Sequence, residues 1–212
     1  MRPDEKTPMS CAPGTTLEIH LPRRLLSLMR LVLARGIAYQ APAGISVNEF
    51  LTKHLRLDAD FIQNRIQTIF MNGQPVDDPE GTRIQAPSSL ALSAAMPGLF
   101  GAAFRKDGQY RAMRRSWPAD QPGPENSESD AMVPVTVKCF NQVAEAVGDD
   151  LLGRGVCMDA GDFLQFWNSQ HTVLEPGCLG VWMDGTQINP EQVADRLCET
   201  TGSIVVKTHA PG

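Results

Sequence analysis

The chain has 212 residues, 42% of them hydrophobic, and a net charge of −5. This is enough apolar material for one large core or two small ones, and the acidic balance argues against a general nucleic-acid-binding protein, which would normally be basic. No apolar run approaches the roughly 18 residues of a membrane helix. The polar, proline-containing residues 1–14 lack the pattern of a signal peptide. The sequence therefore predicts a cytoplasmic protein with a flexible N-terminus and no membrane partner.

The first half of the chain reads as alternating strands and helices. LEIHL, from Leu17 to Leu21, has the period-two pattern of a half-buried strand. A helical pattern follows and stops near Gly36, and IAYQA is a short second strand. Ser46 with Glu49 three residues later is a capping box that predicts the start of a second helix. RIQTIFMNGQPVDD predicts a strand that runs into an Asn-Gly turn, and SLALSAA predicts a final strand.

The second half repeats these elements in the same order. VTVKCF, from Val135 to Phe140, alternates like LEIHL, and NQVAEAVG predicts a short helix that Gly148 closes. RGVCMD corresponds to RGIAYQ, GDFLQFWNSQ to the second helix, LGVWMDGTQIN to TIFMNGQPV, and GSIVVKT to SSLALSA. Six elements in one order indicate an internal duplication rather than two unrelated α+β domains.

A proline-rich polar stretch, SWPADQPGPENSESDAMVP, separates the halves and has the composition of a linker. It predicts a first domain at residues 15–104, an extension and linker at 105–132, and a second domain at 133–212. The predicted fold class is α+β, with two domains in tandem.

The order of elements within each half resembles the β-grasp, or ubiquitin-like, fold. The motifs VTVKCFNQVAEAVG, GVWMDGTQIN and GSIVVKTHAPG resemble the small subunit of molybdopterin synthase and the thiamin-biosynthesis sulfur carrier. The resemblance implies that a free C-terminal Gly-Gly, activated at its carboxylate and converted to a thiocarboxylate, carries the sulfur in that family. Gly212 is the last residue here, but Pro211 stands where the penultimate glycine belongs, and the corresponding Gly98 and Gly101 are internal. We therefore expect that Gly212 is not activated.

A basic segment stands out against the acidic composition and predicts a surface that binds a protein partner. Arginine side chains bind carboxylates and phosphates in a bidentate manner. The alternative is a solvated face whose apolar neighbours hold the segment against a domain, and the net charge disfavours nucleic acid. The predicted partner-binding residues are Arg105, Lys106, Arg111, Arg114 and Arg115.

Residues with catalytic or metal-binding chemistry are scattered in the sequence. No histidine has an acidic neighbour at the spacing of a triad or metal motif, and no cysteines form a C-x-x-C pair. The sequence predicts reduced thiols and gives no metal site, cofactor or catalytic residue. The histidines are His20, His54, His171 and His209, and the cysteines are Cys11, Cys139, Cys157, Cys178 and Cys198.

Together these features predict a non-catalytic binding or adaptor protein built from two ubiquitin-like domains, with a protein partner of unknown identity. One alternative is a degenerate sulfur carrier or a regulator of molybdopterin- or thiamin-type cofactor biosynthesis. Another is a small-molecule-binding or enzymatic role at the cleft between the domains, where pockets commonly form.

Overall fold

The computed structural model describes residues 14–94 and 131–211. It combines helices with mixed β-sheets, as predicted. The described residues up to 94 form β1 (Thr16–His20), α1 (Arg23–Met29), a 3₁₀ helix (Arg30–Ala34), β2 (Ile37–Pro42), β3 (Ile45–Ser46), α2 (Val47–Lys53), a π-helical turn (Phe61–Arg65), β4 (Thr68–Met71), β5 (Gln74–Pro75), β6 (Arg83–Ile84) and β7 (Ser88–Ser93). Those from 131 form β8 (Met132–Phe140), α3 (Asn141–Arg154), β9 (Val156–Asp159), α4 (Ala160–Gly177), β10 (Gly180–Met183), β11 (Thr186–Ile188), a 3₁₀ helix (Pro190–Gln192), α5 (Val193–Cys198) and β12 (Ser203–His209).

Two compact units make up the fold, and each takes residues from both halves of the chain. Unit 1 consists of the residues up to Tyr39 together with those from Ala144 onward. Its five-stranded sheet has the order β11-β10-β1-β12-β9. At its centre β1 runs parallel to β12, with Leu17 opposite Val206, and antiparallel to β10. The first strand of the chain is thus hydrogen-bonded on both sides by strands from the second half.

Unit 2 consists of residues Gln40–Val143, and its sheet has the order β2-β8-β7-β4-β5. Its central pair is also parallel: β8 runs alongside β7, with Val137 opposite Leu90. A separate two-stranded ribbon joins β3 to β6. Here the first strand of the second half completes a sheet whose other strands all come from the first half.

These units divide the chain differently from the predicted domains at 15–104 and 133–212. The sequence could not show this division, because β1 and β8 carry the same alternation of buried and exposed side chains. Such alternation identifies a strand but not its neighbours in a sheet. The two sheets also differ at their centres. In unit 2 β8 lies next to β2, whereas in unit 1 β12, and not β1, lies next to β9.

Two kinds of local signal predicted from the sequence are confirmed, the capping box at the start of α2 and the Asn-Gly and Asp-Gly turns. Ser46 caps α2: its hydroxyl accepts from the Glu49 N–H at 3.1 Å, and the Glu49 carboxylate accepts from the Ser46 N–H at 3.4 Å. Asn72 and Asp184 both have positive φ, at 52° and 49°, and each is followed by a glycine with positive φ. These are the conformations of the tight turns that favour Asn-Gly and Asp-Gly, and they join β4 to β5 and β10 to β11.

The predicted helix end at Gly148 is wrong, because α3 continues to Arg154. At Gly148 a side chain would collide with the aliphatic stem of Arg30. The Arg30 guanidinium donates to both carboxylate oxygens of Asp149, at 2.7 and 2.6 Å, which raises the pKa of Arg30. The glycine therefore serves close packing inside unit 1 rather than the end of a helix.

His54, the C-terminal cap of α2, is a half-buried titratable side chain of unit 2. Its ring stacks on Phe50, with centroids 5.0 Å apart, and its Nδ1 is buried without a hydrogen-bond partner among the described residues. Burial and, to a smaller extent, the charge of Lys53 lower the pKa of His54. The unfolded chain therefore takes up this proton at a higher pH than the folded chain. We expect the free energy of unfolding to fall as the pH decreases below about 6.5, the value of an unfolded histidine.

This expectation is tested by urea unfolding at several pH values between about 5 and 8. His54→Phe keeps an aromatic ring against Phe50 and removes the titrating group, so it should flatten the pH dependence. His171→Ala, at an exposed histidine of α4, is the matched control and should leave the pH dependence as it is. An unchanged pH dependence in His54→Phe would contradict the assignment.

Candidate functional site

One face of the unit 1 sheet is partly open, and the alternation of β1 shows which of its residues lie on this open face. Leu17 and Ile19 are fully buried on one face, which places Glu18 and His20 together on the other face, where both are half-buried. A carboxylate and an imidazole two residues apart on a strand therefore project from the same surface.

The neighbouring strand β12 brings two further polar side chains to this face. Its buried residues alternate with Lys207 and His209, and the parallel register sets Lys207 opposite Glu18 and His209 opposite His20. Directly opposed residues have side chains about 5 Å apart. The two imidazole rings are 5.0 Å apart between centroids and meet edge to face.

Three potential metal ligands meet at this point. One carboxylate oxygen of Glu18 and one ring nitrogen each of His20 and His209 lie within 4.8 Å of one another. Main-chain hydrogen bonds hold the strand ends that carry the histidines: the Leu21 N–H donates to the His209 carbonyl, and the Leu179 N–H donates to the His20 carbonyl, both at 2.8 Å. The ligand set is thus mounted on paired backbone rather than on a loop.

Trp182 of β10 covers one side of His20. Their ring centroids are 4.3 Å apart, with the planes inclined by 43°. The indole lies over Gly180, the residue opposite His20 in the ladder, where a Cβ would collide with the ring. The absence of a side chain at Gly180 therefore leaves room for the half-buried Trp182 ring beside the imidazole.

Lys207 places a positive charge near the Glu18 carboxylate. Its Nζ lies 3.9 Å from Glu18 Oε1, and the two side chains are 35% and 37% exposed. An ion pair of this length and exposure contributes little to stability. The arrangement leaves Glu18 available to another cation and presents an aromatic, two imidazoles and two opposite charges on one surface.

The prediction of reduced thiols is confirmed for three cysteines and is wrong for a fourth. Cys139, Cys178 and Cys198 are free, but Cys157 is disulfide-bonded, which its spacing in the sequence could not show. Burial raises the pKa of Cys139 to about 12. Burial, with a smaller contribution from Glu175, raises the pKa of Cys178 to about 11. Both of these thiols are therefore protonated at neutral pH.

The predicted site residues lie outside the described part of the chain and stay predictions. They are the basic residues Arg105, Lys106, Arg111, Arg114 and Arg115 and the tail glycines Gly98, Gly101 and Gly212.

His20 and His209 are far apart in the sequence but face one another across two parallel strands. His171 lies on α4 with Nδ1 2.7 Å from the Asn168 carbonyl oxygen, and His54 belongs to unit 2. The one available signal was local: Glu18 and His20 stand two apart in a strand pattern. The sequence held no sign that His209 would join them.

No family model matches the chain, and no curated protein or solved structure matches it. Among the described residues, no helix has both the length and the apolar character needed to cross a membrane.

Proposed function

We propose that the protein is a non-catalytic binding or adaptor protein made of two β-grasp (ubiquitin-like) domains that arose by duplication and have exchanged their first strands. The open face of the unit 1 sheet, around Trp182, is its surface for a protein partner. Each unit has a five-stranded mixed sheet with a central parallel pair and an Asn-Gly or Asp-Gly turn before its edge strand. These shared features support the duplication.

One observation carries the binding role: the unit 1 sheet has one mostly buried face and one partly open face. In β12 the buried residues Ile204, Val206 and Thr208 alternate with more exposed ones, and β1 has the same pattern. Ubiquitin-like proteins bind partners through such a free face, which is what the resemblance implies for this chain. Half-buried Trp182 gives that face an aromatic side chain of the kind enriched in the energetically dominant positions of interfaces.

The surroundings of Cys139 and Cys178 do not favour a nucleophilic role for these two thiols. A nucleophilic cysteine acts as the thiolate and has a lowered pKa, whereas burial raises the pKa of Cys139 and Cys178 to about 12 and about 11. Their environments suit packing. The sulfur-carrier alternative depends on Gly212, beyond the described residues, and stays a prediction.

The partner-binding face is tested by quantitative capture from the cell that produces the protein. The tagged full-length chain and its Trp182→Ala variant are compared after crosslinking, with bound proteins quantified by mass spectrometry. We expect at least one protein whose capture falls about tenfold or more in Trp182→Ala, since truncating such an interface residue commonly costs about 2 kcal/mol.

Val173→Ala is the matched control, because Val173 is an exposed apolar side chain of α4 and its loss should leave that capture unchanged. Circular dichroism confirms that both variants stay folded. If every captured protein is retained equally by the wild type and Trp182→Ala, the open face of unit 1 is not the binding surface.

A further inference from the structure

The open face of unit 1 carries a ligand set that partner binding does not explain. We propose that Glu18, His20 and His209 together bind one divalent transition-metal ion such as Zn²⁺, through a carboxylate oxygen and one ring nitrogen of each histidine. Metal binding needs only the purified protein, so its test does not depend on whether the open face binds a protein partner.

The distances fit an ion after small side-chain rotations. A tetrahedral ion with bonds of about 2.1 Å holds its ligand atoms about 3.4 Å apart. The three ligand atoms lie within 4.8 Å of one another, so closing around an ion requires shifts of about 1 Å. The backbone can stay in place, because β1 is hydrogen-bonded on both sides, to β10 and β12.

The rigidity of the scaffold lowers the cost of assembling the site. On the opposite face of the same strands Leu17, Ile19 and Val206 are fully buried, which fixes the register that sets His20 opposite His209. Trp182 confines the His20 ring on one side, at 4.3 Å between centroids. Ligands held by packed neighbours lose less freedom on binding than ligands on loops.

The ligand types select the class of metal. Two imidazole nitrogens and one carboxylate suit Zn²⁺ and neighbouring transition metals, whereas Ca²⁺ takes six to eight oxygen ligands and Mg²⁺ usually keeps several waters. Three protein ligands leave a fourth position, and His209 lies on the exposed side of the site. An ion held here would keep one position for water or for an external ligand.

Lys207 is the neighbour that opposes a cation. Its Nζ lies 3.9 Å from Glu18 Oε1, where it neutralises part of the carboxylate charge. Since the Lys207 side chain is 35% exposed, it can turn toward solvent when an ion binds. Removing its charge should therefore strengthen metal binding, whereas removing any of the three ligands should weaken it.

The site is tested by isothermal titration calorimetry of the full-length chain with Zn²⁺. The affinity tag is removed, bound metal is stripped with a chelator, and all variants carry Cys198→Ser, because the exposed free thiol of Cys198 could bind zinc by itself. We expect one Zn²⁺ per chain. His20→Ala and His209→Ala should each weaken binding by about 100-fold or more, since changes of residues that only orient a ligand already cost about 10–100-fold.

Two further variants separate a metal site from a merely structural cluster. Lys207→Gln should tighten Zn²⁺ binding by about fivefold, the effect of removing one like charge at the protein surface. His171→Ala, at an exposed histidine outside the site, should bind Zn²⁺ like the parent chain.

Co²⁺ should quench the fluorescence of Trp182, and Trp182→Phe should remove this quenching while it keeps the Zn²⁺ stoichiometry.

Circular dichroism distinguishes lost ligands from lost structure, and Glu18→Gln, which keeps the shape of the side chain, gives a second test if an alanine variant unfolds. A parent chain that takes up no Zn²⁺ would overturn the proposal. So would uptake that folded His209→Ala and Glu18→Gln variants retain in full, because the ion would then be bound elsewhere.

Discussion

Neither half of the chain is expected to fold when it is separated from the other. Residues 1–112 contain β1, but the strands that pair with it, β10 and β12, lie in residues 113–212. Conversely, β8 lies in the second fragment, whereas its parallel partner β7 lies in the first. Loss of β1 and of Leu21, the residue that follows it, would remove the burial of three fully buried side chains, since Leu17 and Ile19 lie in β1. At about 1.5–3 kcal/mol for each side chain, this approaches the whole stability of a typical domain.

A protease site inserted between residues 112 and 113 makes the test direct. The cleaved protein should stay a single folded species in gel filtration, because the exchanged strands remain in their sheets. After separation in denaturant, each fragment alone should give the circular dichroism of an unfolded chain. Mixing the two fragments should restore the folded spectrum. A purified fragment that unfolds cooperatively by itself would show that the exchange of strands is dispensable.

Truncation of Trp167 is expected to have the largest effect of any single substitution in α4. Trp167 is the largest of the fully buried side chains, and it packs near Phe163 with ring centroids 6.2 Å apart. Trp167→Ala should lower the free energy of unfolding by about 3–5 kcal/mol, through lost burial and the cavity left behind. Urea unfolding followed by circular dichroism gives the value.

Trp167→Phe is the informative control at the same position. The indole N–H of Trp167 is buried without a hydrogen-bond partner among the described residues, and an unsatisfied buried donor carries a cost of about 1–3 kcal/mol. Phenylalanine removes that donor and keeps most of the apolar volume. It should therefore destabilise much less than alanine. Equal losses for the two variants would contradict this account, because the ring that phenylalanine retains would then contribute nothing to stability.

Features that depend on a few neighbouring residues could be predicted from the sequence. The capping box of Ser46 and Glu49 and the turns at Asn72 and Asp184 are present as predicted. Each of these arises from the preferred backbone conformation of one or two residues and from hydrogen bonds within one turn. The alternation in β1 likewise indicated which of its side chains share a face.

The glycine at position 148 was misread as a helix end because its role depends on a residue distant in the sequence. A glycine near the end of a helical pattern usually marks a C-terminal cap, but here it accommodates the stem of Arg30. The residue that explains Gly148 is more than 100 positions earlier in the chain, in the other half of the sequence. Its identity alone cannot separate the two causes.

The sequence by itself therefore determined most of the longer elements, the two tight turns and the faces of the alternating strands, because these depend on short-range conformational preferences and on the period of hydrophobic residues. Only the tertiary structure decided which strands are neighbours. β1 and β8 present the same alternation, so the pattern of either strand would fit into either sheet. Which strand joins which sheet depends on packing summed over many distant residues. The meeting of Glu18 and His20 with His209 follows from that choice, since it is the pairing of β1 with β12 that brings the two ends of the described chain together.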